Sequence, residues 1–180
     1  MIGLNRLKVD LIRNQKLWVI QYEEEKEYLV KLAKDLVKDV QHVGSTSINA
    51  IEAKPIIDMA VGLWSFSDII RVKDLLILAG YHYRPDAGNV DRLFFAKGPE
   101  EKRTHYIHVV EFGSKAWKDL IYFRDRLNRD TTLAKKYEAL KQVQAQLYPN
   151  DRKKYTEGKA TFIKNVIEME TKDREKSTLT

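Results

Sequence analysis

The sequence contains no cysteine among its 180 residues. Disulfide bonds and thiolate chemistry are therefore excluded, and any nucleophilic side chain must attack through oxygen or nitrogen. No apolar run approaches the roughly 18 residues that a membrane-spanning helix needs, and the N-terminus lacks the apolar centre of a secretory signal. We therefore expect a soluble cytoplasmic protein that does not enter a membrane.

Several catalytic and architectural signatures are also missing. There is no Walker-type phosphate loop, no zinc-like spacing of ligands and no internal repeat. The motif GSTS lacks the second glycine of a nucleophile elbow, which argues against serine hydrolase chemistry. Because no low-complexity linker interrupts the chain, we predict a single domain over residues 1–180, with a core at about 9–113 and C-terminal helices at about 114–171.

Positive charge is concentrated in the C-terminal third of the sequence. The formal net charge is +6, while residues 1–114 hold 16 basic and 16 acidic side chains and residues 115–180 hold 16 and 10. A basic surplus attracts anions, so it favours a phosphate-bearing partner. A solvated helical surface is the simpler interpretation of most of these residues.

Hydrophobic periodicity predicts alternating helices and strands. Apolar side chains on one face predict a helix over 17–36, and Glu25 lies on that face, where we expect its carboxylate to reach water at the rim. Turn signals and capping residues delimit the other elements. We predict strands at 40–43, 54–63, 81–84, 92–97 and 103–112, and helices from Ser67 to Ala79, from Ser114 to about Asn128, from Thr131 or Thr132 to about Tyr148, and at 151–170.

The stretch HVGSTSINAIEAKPIIDMAV, which begins at His42, carries the strongest chemical signal. If a helix begins after Gly44, the backbone amides of the next three residues are the unpaired donors of its first turn, and they suit phosphate oxygens. Asp58 lies in an apolar strand, where a carboxylate needs a metal or a strong hydrogen-bond partner. Magnesium that bridges Asp58 and the phosphates would satisfy both requirements.

These motifs resemble the nucleotidyltransferase fold and, more narrowly, the GrpB-like family of predicted nucleotidyltransferases. The resemblance rests on HVGSTS, AKPIID, RTHYIHVVEFGS, FRDRL and YTEGKATFI, and it extends from about Val9 to Ile167. It implies an α/β (α+β) fold with a nucleotidyltransferase-like core, a mixed β-sheet flanked by helices and a helical C-terminal region. It also implies transfer of a nucleotidyl group from an NTP to an acceptor that the sequence does not identify, with magnesium or manganese as cofactor.

One position departs from the pattern of active nucleotidyltransferases. Enzymes of this fold usually carry Asp-x-Asp on the second strand, with both carboxylates on one face, and Ala60 stands at the second position here. Two-metal phosphoryl transfer relies on a cluster of acids, so a catalytically impaired module that binds a nucleotide or coenzyme A is the alternative function. Nucleic-acid binding through the basic helices ranks last, because no face combines basic and aromatic side chains in a stacking pattern.

Two histidines on the strand RTHYIHVVEF are candidates for a metal ligand or a general base. Because side chains alternate along a strand, His105 and Glu111 are expected on one face and His108 on the other. We predict Asp58, His105 and His108 as catalytic residues, and Asp58, His108 and Glu111 as metal ligands. Histidines that are hydrogen-bonded within the fold fit the same pattern equally well, although the matching family motifs favour a functional role.

Basic side chains close to these motifs are candidates for binding phosphate. The resemblance places Lys141 and Lys159 at family positions, where they can close a pocket over a nucleotide, while the aromatic residues nearby are expected in the core. An ordinary surface charge is the simpler interpretation of each basic residue alone. The predicted contacts to a nucleotide or another phosphate-bearing small molecule are Gly44, Ser45, Thr46, Ser47, Lys54, Arg92, Arg103, Lys141 and Lys159.

Overall fold

A five-stranded mixed sheet with helices on both faces organises the chain. The computed structural model describes residues 2–178, and the side chains of residues 2–169. The strands are β1 (Val37–Val43), β2 (Ile57–Leu63), β3 (His82–Tyr83), β4 (Leu93–Lys97) and β5 (His105–Glu111). The helices are α1 (Gln15–Ala33), α2 (Ile69–Leu78), α3 (Lys115–Arg129), α4 (Thr131–Leu147), α5 (Arg152–Glu157) and α6 (Ala160–Thr178).

The strand order in the sheet is β1-β2-β5-β4-β3. Strands β2 and β5 run parallel, and every other neighbouring pair is antiparallel. A parallel pair cannot be joined by a tight hairpin, and α2, β3 and β4 form the connection between β2 and β5. The expected mixed sheet flanked by helices is confirmed.

The two faces of β2 have different surroundings. Ile57, Met59 and Val61 are buried in the main core, together with side chains of α1 and α2. Asp58 and Ala60 point to the opposite face, because successive side chains of a strand alternate. The chemistry predicted for Asp58 therefore belongs to the face away from α1.

Glu25 of α1 is buried, so the prediction that its carboxylate reaches water is wrong. Its side chain is 6% exposed. The carboxylate accepts a hydrogen bond from the Tyr81 hydroxyl and forms an ion pair with Lys97, whose Nζ lies 2.5 Å away. The partners lie 56 and 72 residues away in sequence. A buried carboxylate with two donors is compensated in place, and it fastens α1 to the β3–β4 edge of the sheet.

Helix α3 covers the face of the sheet that carries Asp58, but only over part of its area. Trp117 packs on Val43, Ala60 and Val110 in a second buried cluster. About two turns further along α3, Arg124 donates from Nη1 to the Gln41 side chain at 2.8 Å and to the His42 carbonyl at 3.0 Å. These contacts fix α3 against β1 and leave the region beyond Asp58 to the last helices.

The C-terminal helices pack against the segment that joins β1 to β2. Ile48 and Ile51 of that segment are buried with Phe123, Tyr137 and Val166 from three different helices. Asn128 adds two hydrogen bonds, because its side chain accepts from the Asn49 amide at 2.8 Å and donates to the Ser47 carbonyl at 3.0 Å. The position of the Gly-Ser turn thus depends on the C-terminal helices.

Several predicted element ends differ from the structure. Ser114 caps α3 as predicted, but Asp130, not Thr131 or Thr132, caps α4 by accepting from the Leu133 amide. Ser65, not Ser67, caps the short 3-10 turn that leads into α2. The predicted last helix at 151–170 is divided into α5 and α6 near Gly158. Within the described residues, no helix combines the length and apolarity that a bilayer crossing requires.

Candidate functional site

The Gly-Ser turn after β1 is shorter than the sequence suggested. Residues Ser45–Ser47 form one 3-10 turn rather than the start of an α-helix, and β1 is an edge strand. The predicted helix N-terminus is therefore wrong. The Ser47 and Ile48 amides bond to carbonyls of the same turn at 3.3 Å, whereas the described part of the chain gives the Ser45 and Thr46 amides no acceptor. Two backbone donors remain available at the turn.

Gly44 brings this turn into direct contact with Asp58. Its φ is +69°, in the left-handed region that favours glycine. A Cβ at this position would lie 2.7 Å from Asp58 Oδ2 and 2.8 Å from Asp58 Cβ. Both the backbone conformation and the close approach require glycine here. The turn and the carboxylate are therefore parts of one site, as the spacing of the motifs suggested.

Asp58 faces the same side of the sheet as His108. Its side chain is 28% exposed, and Oδ1 lies 3.7 Å from His108 Nε2. The strand register explains this proximity, because Asp58 is opposite Tyr106 and Ala60 is opposite His108. The buried Nδ1 of His108 has no hydrogen-bond partner among the described residues. The structure thus brings these two predicted catalytic residues together.

Lys159 and Lys54 approach the site from opposite parts of the chain. Lys159 is 8% exposed, its Nζ lies 4.2 Å from the centre of the Tyr155 ring, and Lys54 Nζ lies 5.2 Å from the same ring. Burial lowers the pKa of Lys159 to about 8, and Asp58 partly opposes that effect. Burial, followed by repulsion from Arg152, holds the pKa of Lys54 well below its usual value. Neither ammonium has an acidic partner within the described side chains.

Arg152 at the start of α5 is part of the site, although the sequence did not single it out. Its Nη1 donates to the Tyr106 hydroxyl at 2.6 Å and to the Arg6 carbonyl at 3.2 Å. Its buried Nε and Nη2 atoms have no partner in the described structure. Burial lowers its pKa, while Tyr106 and Asp58 act in the opposite direction. Two donors of one guanidinium are consequently free to bind an anion.

Arg92 is another basic residue whose pKa is affected by the charge of Asp58. Burial lowers the pKa of Arg92, and Asp58 is the group that opposes this effect. Its Nη2 has only a long contact to the Ala87 carbonyl, 3.4 Å, and its buried Nε is unpartnered within residues 2–169. Asp58 thus opposes the effect of burial on the pKa of Arg92, as it does for Lys54, Arg152 and Lys159. Of these four cations, Lys54, Arg92 and Lys159 were predicted phosphate contacts and Arg152 was not.

Lys141 has a different role from Lys159. It is fully buried, and its ammonium donates to the Glu52 carbonyl. Burial, followed by repulsion from Lys159, lowers its pKa to about 7. One turn earlier on α4, the Tyr137 hydroxyl accepts a hydrogen bond from Ser45 Oγ at 3.3 Å. Lys141 thus holds the β1–β2 segment, while Lys159 lies over the Tyr155 ring, and Asp58 partly offsets the effect of burial on its pKa.

Three predicted site residues lie elsewhere. Glu111 is at the far end of β5, opposite Leu63, and it accepts from the Phe66 amide at 3.1 Å, so its assignment as a metal ligand is wrong. His105 points to the α1 face, where its Nδ1 contacts the Thr104 hydroxyl at 3.0 Å. Arg103 is 3% exposed and donates to the Gly98 carbonyl. The buried Nε2 of His105 and the buried Nε of Arg103 have no hydrogen-bond partner among the described residues.

The donor set fits magnesium poorly. The positions two residues before and after Asp58 are Ile56 and Ala60, which are 2% and 0% exposed. Within the described side chains, no three His, Cys, Asp or Glu residues are close enough to hold a metal ion. Magnesium prefers several oxygen ligands in octahedral geometry, and here one carboxylate stands among cationic side chains. The expected metal ligand set of Asp58, His108 and Glu111 does not assemble.

Comparison with known proteins agrees with this architecture. The sequence model of the GrpB protein family matches residues 8–169. The glutamate-rich protein GrpB of Alkalihalophilus pseudofirmus is 37% identical over 171 residues, which cover 93% of this chain and 98% of that protein. YqkA of Bacillus subtilis is 34% identical over 89% of this chain, but the match spans only 47% of YqkA.

Solved structures show the same fold. The crystal structure of the conserved protein GrpB from Enterococcus faecalis superposes with a TM-score of 0.82 at 32% identity, over 92% of this chain and 99% of that one. The Cid1 poly(U) polymerase with bound Mg 3′-dATP gives a TM-score of 0.51 at 12% identity, over 76% of this chain and 43% of the polymerase. The fold is therefore nucleotidyltransferase-like, as expected.

Replacing Gly44 with alanine tests the contact between the turn and Asp58. The variant Gly44→Ala places a Cβ against Asp58 and forces an L-residue into a left-handed conformation, so we expect a loss of more than about 2 kcal/mol in the free energy of unfolding. Gly113→Ala is the matched control, because Gly113 has a φ of +76° and nothing within 4 Å of the added Cβ. Equal losses in urea denaturation would show that the Asp58 contact is unimportant.

Replacing Lys159 with methionine tests whether its buried charge destabilises the ligand-free fold. The pKa falls from 10.5 to about 8 on folding, so Lys159→Met should raise the free energy of unfolding by at most about 3 kcal/mol. The folded protein binds fewer protons than the unfolded chain between these two pKa values, so the gain should be full below pH 8 and disappear towards pH 10.5.

Thermal melts at pH 7 and pH 9.5 measure this gain. Lys164→Met, in the first turns of α6, is the control, because the Lys164 side chain is 76% exposed and pairs with Glu168. A Lys159→Met variant that melts below the wild type at pH 7 would contradict the buried-charge interpretation.

Proposed function

This chain belongs to the GrpB family, and we propose that it binds a nucleotide, through its phosphates, at the site around Asp58. The observation that carries the proposal is a surplus of positive groups: the buried Nε of Arg92 and the buried Nε and Nη2 of Arg152 have no hydrogen-bond partner among the described residues, and Lys54 and Lys159 have no acidic partner there. Burying charges without partners is costly. An anionic ligand would remove that cost.

The available donors match phosphate oxygens in type. Arg152 offers two unpartnered guanidinium nitrogens, which suit bidentate contact with phosphate. The free amides of Ser45 and Thr46 lie on the turn that touches Asp58. Backbone amides and guanidinium groups together can surround one phosphate group from two sides. Lys159 then supplies an ammonium group from the turn between α5 and α6.

The nucleotide part of the proposal rests on the fold and on aromatic side chains. Phe94 lies edge-on to His108, with 5.1 Å between ring centres, and 5.0 Å from the Tyr106 ring. These half-buried rings share the face of Asp58, where a base can stack against them. The solved polymerase of the same fold holds a nucleotide, which supports this ligand class by analogy only.

Nucleotidyl transfer from an NTP is the second candidate function. The Asp58–His108 pair favours it, because a carboxylate beside an imidazole is suited to move a proton near neutral pH. Magnesium or manganese at Asp58 would supply the charge stabilisation of that chemistry. Since the donor set fits a metal poorly, binding is the function that the geometry supports best, and we derive no step through a metal. The acceptor stays unassigned.

Calorimetric titration of the purified protein with ATP, coenzyme A, inorganic triphosphate and adenosine tests the proposal. We expect ATP and triphosphate to bind and adenosine to bind at least about tenfold more weakly, because phosphate contacts dominate. Lys159→Met should weaken ATP binding by about tenfold or more, as expected for loss of one charged contact, and Lys164→Met should not.

Two results would change the assignment. Tighter binding of coenzyme A than of ATP would favour the coenzyme-binding alternative for the same site. Failure of all three phosphate compounds to bind would contradict the proposed function.

A further inference from the structure

We propose that this site binds the polyphosphate of its nucleotide without a divalent metal ion, with Lys54, Arg152 and Lys159 in the role that magnesium has in metal-dependent sites. The inference rests on the proposed function, because it specifies the state of the ligand that the same site takes. The proposal identifies the groups that balance the negative charge of the phosphates.

Within the described side chains, Asp58 belongs to no group of three His, Cys, Asp or Glu residues that could hold a metal ion. Ile56 and Ala60, two residues before and after Asp58, are apolar and buried, and Trp117 of α3 packs on Ala60. His108 Nε2 lies 3.7 Å from Asp58 Oδ1, so the group beside the carboxylate on this face is an imidazole and not a second carboxylate. A single carboxylate is a weak magnesium ligand set.

Three cationic side chains, those of Lys54, Arg152 and Lys159, lie against the aromatic rings of Tyr155 and Tyr106. The Nζ atoms of Lys54 and Lys159 lie 5.2 and 4.2 Å from the centre of the same aromatic ring, that of Tyr155. Arg152 is anchored to Tyr106 by one nitrogen and keeps two others unpartnered among the described residues. A divalent ion near Asp58 would be repelled by these groups, whereas phosphate oxygens would be attracted to them.

The charge of the ligand decides which form is preferred. Magnesium that coordinates a triphosphate removes part of its negative charge and occupies oxygens that the protein could bind. A site that supplies its own cations is therefore expected to bind free ATP at least as tightly as magnesium-bound ATP. Asp58 then serves to offset repulsion among the cations in the ligand-free protein, and its charge opposes the arriving phosphates.

Binding without a metal ion and binding through a metal ion lead to opposite expectations for the ATP affinity of Asp58→Asn. Without a metal, loss of the carboxylate removes a repulsion from the phosphates, so ATP affinity in EDTA should stay the same or rise. With a metal, the same substitution removes the principal ligand, so affinity in magnesium should fall. Asp74→Asn, an exposed position on α2, is the matched control for loss of one acidic charge.

Titration of ATP into wild type, Asp58→Asn, Asp74→Asn and Lys159→Met, in EDTA and in excess magnesium chloride at equal ionic strength, is the test. We expect wild-type affinity in EDTA to equal or exceed that in magnesium, Asp58→Asn to retain it, and Lys159→Met to lose about tenfold or more in EDTA. Wild-type affinity that falls about tenfold in EDTA, with loss of the magnesium-dependent binding in Asp58→Asn, would overturn the inference.

That result would leave nucleotide binding itself intact. Absence of ATP binding in both buffers would instead overturn the proposed function, and the inference with it. The melting temperature of each variant in ligand-free buffer confirms that the comparison is made on folded protein.

Discussion

The side chains of Lys54, Arg92, Arg152 and Lys159 lose hydration on folding, and Asp58 is an acidic group that offsets this cost for all four. The sheet supplies Asp58, and the C-terminal helices supply Arg152 and Lys159. Such an arrangement lowers stability in the ligand-free protein, because each ammonium or guanidinium group loses hydration. The fold must recover that cost elsewhere, in its three apolar clusters and in the network around Glu25.

The packing of the last helices fixes the position of the Gly44 turn. The Lys141 ammonium donates its hydrogen bond to the Glu52 carbonyl, and Tyr137 and Asn128 hold the segment between β1 and β2. These contacts position the Gly44 turn without using Lys159. Because the structural and the ligand-facing basic residues are different side chains, substitution of Lys159 can change binding while the turn keeps its place.

Patterns within one element could be predicted from the sequence, and contacts between distant elements could not. Alternation along β5 placed His105 and His108 on opposite faces, and the Gly-Ser turn and Asp58 were correctly associated. Glu25 was misjudged because its partners, Tyr81 and Lys97, lie on other elements. Arg152 was missed since nothing in its neighbourhood in sequence marks it; only the packing of α5 brings it to Tyr106.

The misassigned metal ligand has a simple geometric cause. Glu111 shares a strand with His108, but the parallel register sets it opposite Leu63, five residues beyond the partner of Asp58. Register between β2 and β5 depends on the long connection that joins them, which includes α2, β3 and β4. Sequence spacing along one strand therefore could not show which residues of β5 would meet Asp58.

The pKa of the Lys159 ammonium, measured by NMR in the free protein and at saturation with inorganic triphosphate in EDTA, tests the central claim most directly. The account predicts a pKa of about 8 in the free protein and a rise of at least about one unit on binding, because a phosphate beside the ammonium favours its charged form. A pKa near the usual 10.5 in the free protein, or no change on saturation, would contradict an anion site at this lysine.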